Sequence, residues 1–146
     1  MRRLAILMLS ISMSLLGCAG MPKPPPGSEN DRSFTTFSPV GYQDAFRSIA
    51  RRSTACFGQS GIFSINYNVQ ADLDAVAKIG RVEVFPVGIY SGEDKDSDRK
   101  SYITTIKAKG DGSEIATNGP LRNTAYIVNM LNMQWASDEP SCALKH

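Results

Sequence analysis

The sequence predicts an α+β domain, a two-layer sandwich in which two helices pack on one face of an antiparallel sheet and one disulfide ties them. Three observations lead there. An amphipathic stretch of helical period begins near residue 42, a strictly alternating stretch runs from 63 to 73, and a second helical stretch follows Gly119-Pro120. At 146 residues the chain has room for one domain.

Taken in order, residues 34–37 alternate aromatic with Thr and read as a first strand. Ser38-Pro39-Val40-Gly41 offers helix-entry chemistry, with Asp44 in the first turn, where the helix dipole favours an anion. Tyr42, Ala45, Phe46, Ile49, Ala50, Ser53 and Phe57 then recur at helical spacing until Gly58 closes the helix. Phe63, Ile65, Tyr67, Val69, Ala71 and Leu73 alternate with Ser64, Asn66, Asn68, Gln70 and Asp72, the signature of a sheet covered on one side only. Val76 and Ala77 mark a bend. Val82, Val84, Val87 and Ile89 predict a further strand, and Pro86 inside it predicts an edge position or a bulge. Residues 91–100 read as a charged loop, 102–108 as a strand, Gly110-Asp111-Gly112 as a turn and 114–117 as its return strand. The last helix is expected over 123–137, with Ile127, Val128, Leu131 and Trp135 inward and Asn129 and Asn132 outward.

The N-terminus carries a different message. Met1-Arg2-Arg3 supplies a positive start, and residues 4–16 an apolar run too short to span a bilayer but right for a signal peptide. The run ends in Leu15-Leu16-Gly17-Cys18, which resembles the lipobox of bacterial lipoproteins. The resemblance implies removal of residues 1–17, acylation of Cys18 and attachment to a membrane facing the periplasm. Ala19 follows the cysteine where an inner-membrane-retained lipoprotein of enteric type has Asp, so the resemblance implies the outer membrane. Residues 18–33, with Pro22, Pro24, Pro25 and Pro26, read as a lipidated start and an extended tether, and 34–146 as the periplasmic domain. The pattern Tyr42-x-x-Ala45-Phe46-Arg47-x-Ile49, then Cys56-Phe57, then Trp135 before Cys142, is similar to small proteobacterial lipoproteins without an assigned activity. It implies a location and a fold, with no activity to transfer. In architecture alone the chain resembles small accessory lipoproteins of outer-membrane assembly.

With Cys18 committed to lipid, Cys56 and Cys142 form an even pair in an exported domain. Each follows a helix, and a disulfide between them is expected.

Charge and motif content narrow the function. The 16 Lys and Arg residues, less Arg2 and Arg3 in the signal segment, leave 14 against 14 Asp and Glu. A neutral domain lacks the clustered positive charge that carries nucleic-acid affinity. The sole histidine is His146 at the chain end, which disfavours His-based triads and metal sites. There is no G-x-S-x-G elbow, no G-x-G-x-x-G, no P-loop and no C-x-x-C. Asp94, Asp96 and Asp98 have the one-three-five spacing of a calcium loop. Arg99 stands where Gly is required and Thr105 where a bidentate Glu is expected, so a solvated loop tip is the better reading. No metal and no cofactor is expected.

Two surfaces remain as candidate binding residues: Arg47 and Arg51, beside Arg52, on the first helix, and Asn66, Asn68 and Gln70 on the polar strand face. The expected function is that of a lipid-anchored, non-enzymatic module that binds an envelope protein partner or supports an assembly. The alternative is a small-ligand or cell-wall glycan binding module.

Overall fold

A computed structural model describes residues 23–28, 30–58, 66–87 and 101–143. Seven elements follow in chain order: β1 (Ser33–Ser38), α1 (Tyr42–Phe57), β2 (Asn66–Asp74), β3 (Ile79–Val87), β4 (Tyr102–Lys109), β5 (Gly112–Asn118) and α2 (Arg122–Ala136). The strands form one antiparallel sheet in the order β1-β5-β4-β3-β2. Helix α1 carries the chain from one sheet edge to the other. Both helices cover the same face, α1 over β2 and β3 and α2 over β1 and β5, so the α+β sandwich is as expected.

Turn chemistry sets the hairpins. The carboxylate of Asp74 accepts hydrogen bonds from the backbone N–H groups of Val76 (2.9 Å) and Ala77 (2.8 Å), and Lys78 closes the β2–β3 loop at φ 55°. Between β4 and β5 the paired residues Lys109 and Gly112 flank a two-residue turn, and Gly110 supplies its positive φ of 59°. Gly41 precedes α1 without a side-chain cap, and the Gly58 N–H donates to the carbonyl of Thr54 at the other end.

The core joins Ala45, Phe46 and Ile49 of α1 to Val82, Ile106 and Ile115 of the sheet and to Leu131, Trp135 and Ala136 of α2. The ring of Phe46 lies against Gly80, where a Cβ would collide with it. The disulfide between Cys56 and Cys142 is formed, with Cα atoms 5.5 Å apart, joining the C-terminal end of α1 to the segment after α2.

Two expectations are corrected. Asn129 and Asn132 point inward, at 0% and 1% exposure. The helix-covered sheet face is itself partly polar here, and their amides find partners on it. Strand β3 is interior, between β4 and β2, despite Pro86. The last β3–β4 pair is Val84 with Tyr102, so among the described residues Pro86 lies beyond β4 and pairs with β2 only, opposite Tyr67. Cys18, residues 63–65, Asp94, Asp96, Asp98 and His146 lie outside the described residues.

Candidate functional site

The two candidate surfaces lie on opposite layers. Asn68 and Gln70 are exposed on the open face of β2, and Asn66 begins the same strand opposite Val87. Arg47 and Arg51 are exposed on α1, across the sheet. Each arginine has an acidic partner. Arg47 pairs with Asp44 one turn earlier at 3.3 Å, and Arg51 donates to Asp138, which Arg52 also approaches at 3.4 Å. The Asp138 carboxyl lies below its ordinary pKa, first because the Ser48 hydroxyl donates to it at 3.1 Å and then because of Arg51 and Arg52. A wide, open depression of about 530 Å³ lies beside these groups. An anion entering it would have to displace carboxylates already in place.

Between α2 and the β1–β5–β4 part of the sheet runs a polar seam that the sequence did not announce. The Asn129 amide nitrogen is 3.1 Å from the Phe34 carbonyl, 3.3 Å from the Ile115 carbonyl and 3.1 Å from the Thr117 hydroxyl. Two carbonyls facing one atom fix the amide with its NH₂ toward the sheet. Asn132 donates to the hydroxyls of Thr104 (2.7 Å) and Thr117 (3.1 Å), which share a hydrogen bond at 3.2 Å. The amide nitrogens and hydroxyls are buried and occupied with one another, and only the Asn129 Oδ1 of these groups lacks a partner among the described residues, so the seam is architecture.

At the other end of the layer an apolar cleft of about 280 Å³ opens where α1, α2, β2 and β4 meet. Phe57 ends α1, Tyr67 comes from β2, Tyr102 opens β4, and Leu131 and Trp135 come from α2, with the disulfide alongside. Phe57 stands edge-on to Trp135 at 6.0 Å and tilted to Tyr67 at 6.2 Å. The Trp135 indole N–H donates to the Ser141 carbonyl at 2.7 Å. Gly119 lets the Tyr102 ring approach, since a Cβ there would stand 2.7 Å from it. Burial raises the Tyr102 phenol above its ordinary pKa, a hydrogen bond with Thr124 working against it. Trp135 was expected in the core and is there; the cleft beside it was not expected, since its walls come from residues far apart in sequence.

A third feature is the outer edge of β2. Strand order leaves it without a pairing strand among the described residues over Asn66–Asp74. Among the same residues no three His, Cys, Asp or Glu side chains converge as a metal site, and no helix is long and apolar enough to cross a membrane. Comparison with known protein families, curated proteins and solved structures gives no match.

Proposed function

We propose that this chain is a lipid-anchored envelope protein, held through acylated Cys18 at the periplasmic face of the outer membrane, whose domain is a non-enzymatic protein-interaction module. The anchor rests on the lipobox-like Leu15-Leu16-Gly17-Cys18. The interaction reading is carried by the outer edge of β2. Exported domains protect such edges with proline, lysine, bulges or short length. Strand β2 has nine residues in unbroken register with β3 and contains no proline, lysine or arginine. An edge of that length suits addition of a partner's strand, main chain to main chain, with Asp72 and Asp74 favouring basic residues at one end.

The test is photocross-linking in intact cells with the photoreactive residue at Gln70, compared with Thr35 on the opposite edge strand β1. The expected result is one discrete adduct from Gln70 in the outer-membrane fraction and none from Thr35. Equal labelling from both edges, or no adduct from either, overturns the edge reading. A Cys18→Ala chain that still fractionates with the outer membrane overturns the anchor.

A further inference from the structure

We infer that the aromatic cleft is a binding site for one uncharged acyl chain of about ten carbons carrying a single neutral oxygen-bearing head. The inference goes beyond the strand-edge reading and does not rest on it.

Size is the first argument. A dry cavity of about 150 Å³ takes the six carbons of benzene, so about 280 Å³ takes roughly eleven. Polarity is the second. No charged side chain lines the cleft among the described residues, so a carboxylate or ammonium would lose its hydration without a counter-charge. The Trp135 indole N–H is already spent on Ser141. The Thr124 hydroxyl donates to the Leu121 carbonyl at 3.1 Å and is bonded with Tyr102, so what remains are the Tyr67 hydroxyl and the second lone pair of the Tyr102 oxygen, set in walls of Phe57, Leu131 and Trp135. One donor and one acceptor can satisfy one hydroxyl or ester head, whereas a saccharide would bring more polar groups than they can pair. The Tyr102 phenol, raised by burial, stays neutral; with its proton engaged by Thr124, its oxygen accepts from a head hydroxyl.

The protein carries its own reporter, since Trp135 is the only tryptophan in the chain and lines the cleft. The mature chain from Cys18 onward, made without acylation and kept free of detergent, is titrated with 10-bromodecan-1-ol, whose bromine quenches indole emission on contact. The expected result is saturable quenching that decan-1-ol reverses. Decanoate and decylammonium should compete at least about tenfold more weakly. Tyr102→Phe should weaken decan-1-ol about fivefold and leave 1-bromodecane unchanged. Ile127→Phe, which fills the cleft from a half-buried position, should remove quenching while the far-ultraviolet spectrum is kept. Quenching that rises without saturating, or that Ile127→Phe leaves intact, overturns the proposal. So does decanoate competing equally with the alcohol. Displacement by phenylalanine amide at lower concentration than decan-1-ol would assign the cleft to an aromatic side chain and overturn the acyl reading. Should Ile127→Phe unfold, the Tyr102→Phe pair decides, and an equal effect on alcohol and bromoalkane, or none on either, overturns it.

Discussion

The two halves of the helix layer share one apolar core and differ in the polar groups they bury beside it. Under α1, Ala45, Phe46 and Ile49 meet Gly80 and Val82, and the polar side chains the helix buries are the small hydroxyls of Ser48 and Ser53. Under α2, Asn129 and Asn132 meet Thr104, Thr117 and two strand carbonyls. The apolar half gains stability from area removed from water, which is proportional and forgiving of shape changes. The polar half gains little from each bond and loses much when one partner disappears, because the survivor stays buried. One side of the domain therefore supplies bulk stability, and the other fixes the register of α2 on the sheet.

The sharpest way to break this contrast is Ile49→Ala, fully buried in the apolar half. It should cost about 3–4 kcal/mol in denaturant unfolding, as large-to-small core changes do. The disulfide joins the two helices across a sequence separation of 86, and Cys56→Ser should lower stability by about 3 kcal/mol. Asn129→Leu, which keeps the branched heavy-atom outline and strips the donors from Phe34, Ile115 and Thr117, should cost about 2 kcal/mol. A neutral result in urea melts would mean the seam contributes shape alone.

A smaller effect tests the surface link between the halves. The Asp138 pKa is lowered in the folded chain, so its contribution is present above the ordinary aspartate value near 4 and is lost as pH falls through the lowered folded value. Asp138→Asn keeps a residue tolerant of φ 62° and removes the charge. Its deficit against the native chain at pH 7 should shrink steadily on acidification; a deficit independent of pH would show that the carboxylate's charge is not what matters. The smallest effect is expected on the open face, where Asn68→Ala should stay below about 0.5 kcal/mol by the same melts.

These contrasts also explain what could be read from the letters. Helix α1 and strand β2 were legible because their apolar residues keep one period and face one covered side. The disulfide was legible from parity and from the two helix ends. The inward turn of Asn129 and Asn132 was not. An amide reads as solvent-facing unless the reader knows that Thr104 and Thr117, far off in sequence, present hydroxyls across the layer. Pro86 misled for a related reason: proline reports on its local neighbours, and among the described residues it pairs with β2 alone while the rest of β3 lies between two strands. The cleft was invisible because Phe57, Tyr67, Tyr102 and Leu131 come from four elements and no motif links them.

The segment before β1 adds a matter of distance. Arg122, only 10% exposed, donates to the carbonyl of Pro25 at 2.7 Å and of Asp31 at 2.6 Å, and its guanidinium stands 5.0 Å from the centre of the Phe34 ring. The chain is thereby strapped to the domain some way before the first strand. If the whole stretch from Cys18 to Ser33 were loose, a lipid-anchored domain could wander up to about 50 Å from its attachment point. With the strap closed, the proposed anchor would reach no further than the chain length from Cys18 to Pro25, about 25 Å. On the proposed lipid anchor, a single arginine on α2 would then set the height at which this domain rides above the membrane, and releasing it would roughly double its radius of action.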